Sequence, residues 1–228
     1  MKIAPLTPVF AARIEDVDLT RPLDDAVFDE IRAAFEEHSV LYQLANQFWH
    51  SDSSFKRVPA LCSLLSGRIV PPEGGATELA SARAAYAELP DGLRRRVEGL
   101  VCVHDFTWSR DQVRPGILTD TERAEVPPVE HPLVRANPVN GRRTLFIGAH
   151  ASHIVGMPIE DGRALLRELT AFVTRPRFCY RHEWREHDLI IWDNRCVLHR
   201  ATPFDSTRYH RWMQRTTVSG DPGEPAGR

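Results

Sequence analysis

His50 and Asp52 stand two residues apart in Asn46-Gln47-Phe48-Trp49-His50-Ser51-Asp52-Ser53-Ser54-Phe55, a segment bounded by aromatic side chains. On an extended backbone, residues i and i+2 project from the same face, so this imidazole and carboxylate can reach one ion. The third ligand decides the chemistry. Further imidazoles would suit zinc and hydrolysis, whereas two His and one carboxylate with open positions is the arrangement of non-haem Fe(II) oxygenases. With 10 His and 31 acidic residues in the chain, about one His-x-acid pair arises by chance. The pair therefore carries weight only through its position and company, and hydrogen bonding of both side chains to backbone is an equal alternative.

His199 is the best-placed third ligand. It ends the apolar run Cys196-Val197-Leu198 after a turn at Asp193-Asn194-Arg195. Pairing back onto Leu189-Ile190-Ile191-Trp192 would make a β-hairpin that holds its imidazole. His150 and His153 lie three apart and could share a helical or turn face, but no carboxylate accompanies them at matching spacing. The other histidines read as surface or core residues. Thr77 follows Gly74-Gly75, a turn without the lysine and long glycine spacing of a phosphate loop. A strand over 211–218 would turn Arg211 and Arg215 to one face, and two guanidinium groups inside a barrel require anionic partners. A solvent-facing edge strand is the other reading.

These residues need a scaffold. Val27, Phe28, Ile31, Ala34 and Phe35 repeat at helical spacing after the turn and N-cap residues of Thr20 to Asp25, which predicts an amphipathic helix over 25–38. A strand starting at Ser39-Val40-Leu41-Tyr42 runs into the His50 segment. Residues 60–70 predict another strand, ended by Pro71-Pro72-Glu73-Gly74-Gly75. Two short helices over 81–100 divide at Pro90-Asp91-Gly92, and Arg94-Arg95-Arg96 is a solvated helix face. Asp111 to Pro132 lacks periodicity and reads as a long surface loop, a common place for a lid. Residues 132–135 and 144–147 flank Asn137 to Gly141 as a hairpin, and Leu165, Leu166, Leu169, Phe172 and Val173 mark a helix between Pro158 and Pro176. Strands at 178–180, 189–192, 196–199 and 212–218 follow. Short antiparallel strands with helices packed outside predict a mainly β fold, a sandwich or jelly roll with flanking helices.

At 228 residues, a single domain with one core is expected. Lys and Arg number 29 against 31 Asp and Glu, a net charge of −2, which offers no overall field for nucleic acid or an anionic membrane. The apolar runs are too short to span a bilayer and Met1 to Pro5 lacks a signal-peptide core, so the expectation is a cytoplasmic protein without nucleic-acid or membrane partners. Cys62, Cys102, Cys179 and Cys196 are scattered, which predicts buried thiols rather than a thiolate metal site or disulfide scaffold. The oligomeric state stays open, a homo-oligomer included.

His50-x-Asp52, Gly74-Gly75-Ala76-Thr77, Trp192 to His199 and Arg211 to Gly220 together resemble, in order and spacing, the taurine / 2,4-dichlorophenoxyacetate dioxygenase family. The resemblance runs from Asn46 onward and includes the segment Asp16 to Val40. It implies a double-stranded β-helix (jelly roll) core and makes His50, Asp52 and His199 the catalytic ligands of Fe(II). It implies that Thr77 and Arg211 bind 2-oxoglutarate, that Arg215 holds the substrate's anionic group or helps orient the cosubstrate, and that Asn46 and Ser53 line the substrate pocket. The expected reaction uses O₂ and 2-oxoglutarate to hydroxylate a small anionic substrate beside an ether oxygen, as in an aryloxyalkanoate, releasing succinate and CO₂. A taurine or alkylsulfonate dioxygenase, an inactive jelly-roll binding protein and a zinc-type hydrolase are the alternatives. The single domain over 1–228 is shortened between residues 42 and 50 relative to the family. Only seven residues separate Tyr42 from His50, where the family pattern carries a further strand, a helix and part of the substrate pocket.

Overall fold

The protein is described by a computed structural model. It gives the backbone of residues 2–5, 12–15 and 40–42, and backbone and side chains of 48–112, 118–205 and 207–222. The helix expected over 25–38 and the pocket residue Asn46 lie outside the described residues. The fold is mainly β with some helices.

Strands β1 (Lys2–Pro5) and β2 (Ala12–Glu15) pair with one another. Next come β3 (Val40–Tyr42), β4 (Ala60–Ile69) and β5 (Thr77–Ser81). Helix α1 (Ala82–Ala87) starts where Ser81 Oγ accepts the Ala84 N–H at 3.1 Å. Pro90 then precedes α2 (Asp91–Val97), which carries the basic run: Arg95 and Arg96 face solvent, and Arg94 turns back to the carbonyls of Ala87 and Leu89. β6 (Val101–His104) and α3 (Phe106–Asp111) follow.

The stretch expected as a long loop holds α4 (Asp120–Glu125) and β7 (Val129–Pro132). The helix forms because Thr119 and Glu122 cap its start reciprocally, and β7 because it pairs with β6. A Ser/Thr-x-x-Glu signature was present and outweighed the lack of apolar periodicity. β8 (Val134–Ala136) and β9 (Arg143–Leu145) form the expected hairpin. β10 (Ala151–Ile154) leads into α5 (Ile159–Val173), whose apolar face of Leu165, Leu166, Leu169, Phe172 and Val173 is buried. β11 (Cys179–His182), β12 (Leu189–Asp193), β13 (Val197–Ala201) and β14 (Trp212–Ser219) complete the order.

One antiparallel sheet runs β14-β4-β12-β3 and a second β11-β5-β13. Leu65, Leu79, Ile190, Trp192, Cys196 and Val197, drawn from both sheets and the turn between them, share one buried cluster with Trp184, so the sheets pack face to face. A third sheet, β10-β6-β7, joins α1, α2 and α5 around a larger cluster. The expected hairpin of Leu189–Trp192 with Cys196–His199 does not form. β12 pairs with β3 and β4, β13 pairs with β5, and the turn between them crosses from one sheet to the other. Inside that turn Asp193 accepts the Arg195 N–H and guanidinium, while Asn194 N–H reaches Leu61 O on β4. Those bonds compete with the ladder a hairpin would need.

The cysteines are all free, but only Cys102 and Cys196 are buried; Cys62 and Cys179 are half-buried. Burial pushes the Cys62 and Cys179 thiols up to about 11 and the Cys102 thiol up to about 12. Among the described residues no helix is long and apolar enough to cross a membrane.

Candidate metal centre

His50 and His199 face each other across an isolated antiparallel bridge. His50 N–H donates to His199 O at 3.0 Å, His199 N–H donates to His50 O at 2.8 Å, and the ring centroids lie 4.1 Å apart. Gly148 lies against this bridge with φ of 125°, and a Cβ there would sit 3.1 Å from both His50 Cα and Trp49 O. Asp52 brings Oδ1 to 3.7 Å from His50 Nε2 and Oδ2 to 3.7 Å from His199 Nε2. One ligand atom from each of the three residues lies within 4.8 Å of the others, and all three side chains are buried. No other cluster of His, Cys, Asp and Glu among the described residues meets this spacing.

Their protonation suits a cation. His50 Nδ1 lies 2.8 Å from Phe48 O; a carbonyl only accepts, so Nδ1 carries a proton and Nε2 is the nitrogen turned towards Asp52. His199 is 0% exposed and neither ring nitrogen has a hydrogen-bond partner. Burial keeps it well below its ordinary value, and therefore neutral. Burial pushes the Asp52 carboxyl up, but the imidazoles of His199 and His50 and the Ser63 hydroxyl outweigh it and hold Asp52 well below the usual carboxylate range. A neutral His199 imidazole and an ionised Asp52, with the His50 ring beside them, are the kind of donors that a divalent metal requires.

Several further residues hold these candidate ligands. Ser63 Oγ donates to Asp52 Oδ2 at 2.6 Å, and Asp52 N–H donates to Asn194 Oδ1 at 3.0 Å. In the sequence Asn194 is a turn residue and Ser63 falls within the strand predicted over 60–70; only long-range pairing brings them to Asp52. His150, weighed as a ligand, is instead a buried support. Its Nδ1 lies 3.0 Å from Ser54 Oγ and its ring stands edge-on to His50 at 6.1 Å. Burial, followed by the neighbouring His50, pushes it down to about 3. His153 is half-buried and bonds Ser152 Oγ.

Thr77 is fully buried, and its Oγ1 accepts from Trp184 Nε1 at 3.1 Å, so its own proton is available to donate outward. Arg211 packs against Gly75, two residues before this threonine: a Cβ on Gly75 would meet Arg211 Nε at 3.3 Å. Arg211 Nε and one terminal nitrogen are buried without a hydrogen-bond partner, and burial pushes the guanidinium down to about 10. Arg211 precedes β14, and the register shifts between Trp212 and Met213, so simple strand alternation does not relate Arg211 to Arg215. Arg215 donates to Asp52 Oδ1 at 3.3 Å, with its side chain 47% exposed. Ser53, at φ 54°, is half-buried within the metal-motif loop.

Two packed antiparallel sheets with two imidazoles and one carboxylate meeting at a buried point define a β protein suited to holding one divalent cation through three side chains. The chain belongs to the family described as Taurine catabolism dioxygenase TauD, TfdA family, which matches residues 41–217. Its sequence is 45% identical over 188 residues to the alpha-ketoglutarate-dependent 2,4-dichlorophenoxyacetate dioxygenase of Burkholderia sp. (strain RASC), covering 82% of this chain and 63% of that relative. The chain thus spans less than two thirds of the relative's length. The crystal structure of AAD-2 in complex with Mn(II) and N-oxalylglycine superposes with a TM-score of 0.93 at 36% identity, covering 100% of both chains. A taurine dioxygenase from Burkholderia xenovorans gives 0.81 at 29% identity, over 96% of this chain and 91% of that one.

Proposed function

We propose that the protein is an Fe(II)- and 2-oxoglutarate-dependent dioxygenase that hydroxylates a small anionic aryloxyalkanoate at the carbon next to its ether oxygen. The convergence of His50, Asp52 and His199, with a wholly buried and unpartnered imidazole among them, carries the reading. The identity to a 2,4-dichlorophenoxyacetate dioxygenase supports the substrate class. The two packed sheets are read as a double-stranded β-helix core.

In this reading His50, Asp52 and His199 hold the ion. With 2-oxoglutarate and O₂ the bound ion supplies the oxidation, in which one oxygen atom enters the substrate C–H bond and the other leaves in succinate, with release of CO₂. Arg211 pairs with the distal carboxylate of the cosubstrate, and the Thr77 hydroxyl donates to the same group, its orientation fixed by Trp184. Arg215 reaches to within 3.3 Å of Asp52, so a substrate carboxylate anchored on it lies beside the ligand set. The family resemblance assigns Asn46 and Ser53 to substrate binding. A carbon bearing both an aryloxy group and a new hydroxyl is a hemiacetal, which collapses to release the phenol.

The test is anaerobic addition of Fe(II) and 2-oxoglutarate, followed by O₂ and a panel of aryloxy acids and alkyl sulfonates. A weak visible charge-transfer band and succinate formation stimulated by aryloxy acids are expected. No band would refute the oxygenase reading, and stimulation by alkyl sulfonates alone would refute the substrate class.

A further inference from the structure

We propose that Asn194 is a positioning residue for the metal ligand Asp52 and acts through the hydroxyl of Ser63. The proposal rests on the assignment of Asp52 as a ligand. Asn194 is 1% exposed, and both halves of its side-chain amide are engaged. Its Oδ1 accepts from Asp52 N–H at 3.0 Å and from Trp192 Nε1 at 2.9 Å, while Nδ2 donates to Ser63 Oγ at 2.9 Å. Backbone amide and indole N–H groups only donate, so the orientation of the amide is fixed.

The direction of every bond in this network follows. Ser63 Oγ accepts from Asn194, has a single proton, and places it on Asp52 Oδ2 at 2.6 Å. The hydroxyl is thereby committed as a donor to the carboxylate. A carboxylate held through one oxygen by a hydroxyl, with its own backbone N–H on the same asparagine, keeps one orientation towards His50 and His199. The main chain of Asn194 extends the grip: its N–H donates to Leu61 O at 2.9 Å and its carbonyl accepts from Ser51 Oγ. The turn that crosses between the sheets thus holds Ser51 by its hydroxyl and Asp52 by its N–H. Outer-sphere partners of metal-bound carboxylates commonly govern affinity by 10–100-fold or so.

Co(II), which tolerates air, is the probe. Its dissociation constant and ligand-field absorption would be measured for the wild-type chain, Asn194→Ala, Ser63→Ala, the double variant and His199→Ala, alongside thermal unfolding of each without metal. The expected result is a dissociation constant raised on the order of 10–100-fold in Asn194→Ala and in Ser63→Ala, with an altered absorption band. The double variant should lose less than the two single losses added together, because both act on one hydroxyl while Asn194 also holds Asp52 N–H directly. Wild-type affinity and spectrum in Ser63→Ala, which removes one oxygen atom and decides the matter if Asn194→Ala does not fold, would overturn the proposal. Additive losses in the double variant would do the same. Tight Co(II) binding lost in His199→Ala but unchanged in the other variants overturns this proposal alone, whereas no binding by the wild-type chain overturns the ligand assignment with it.

Discussion

A buried donor or acceptor left unsatisfied costs about 1–3 kcal/mol, and both the His199 ring and the Arg211 guanidinium stand in that condition. The costs recur at the residues whose chemistry suits a cation and a carboxylate. Arg211→Ala is expected to raise the KM for 2-oxoglutarate on the order of 10–100-fold, as for loss of a charge-assisted bond, with metal affinity unchanged. Arg211→Lys should restore only part of this, since a lysine lacks the planar fork. Steady-state kinetics with varied 2-oxoglutarate checks both. The meeting of His50, Asp52 and His199 was anticipated from residue type and order, and Thr77 and Arg211 were singled out by the family resemblance. Trp184, Ser63 and Asn194 were not, because nothing in their local sequence separates a core indole, a strand serine or a turn asparagine from its structural counterparts elsewhere.

Among the elements, the passage between β12 and β13 is where sequence reasoning and structure part. Two apolar runs separated by a short polar turn suggest a hairpin, yet the side chains of both runs enter one cluster from opposite sheets. Pairing partners tens of residues away, β4 for one strand and β5 for the other, decide this, and local pattern carries no trace of them. The helices were easier: α5 was legible from its apolar face and flanking prolines, and α1 and α2 from the break between them. Gly148 belongs to this scale too, since it lets the segment before β10 approach the bridge between His50 and His199. Gly148→Ala should lower stability by about 1–3 kcal/mol through the forced contact and also weaken metal binding. Gly99→Ala, with φ of 73° and nothing within 4 Å of the added carbon, should lower stability by about 1 kcal/mol and leave metal binding alone. Urea unfolding and metal titration of the two variants distinguish the outcomes.

For the molecule as a whole, the buried imidazoles set a response to acid. His104, His131, His150 and His199 all lie below their ordinary value, chiefly through burial. Each stays neutral in the folded chain under conditions where the unfolded chain takes up a proton, so the unfolded state binds more protons and stability falls with falling pH. For His150 the loss begins near 6.5 and continues to about 3; Asp52, held low, adds a loss of the same sign below its ordinary carboxylate range. Urea midpoints of the metal-free protein should therefore drop steadily from pH 7 to pH 5, and a flat profile would contradict the burial of these rings. The reciprocal bonds between His50 and His199 join parts of the chain far apart in sequence, tying the loop that carries His50 to β13 of a central sheet. Both residues are buried, so these two amide protons should exchange with deuterium far more slowly than those of exposed turns.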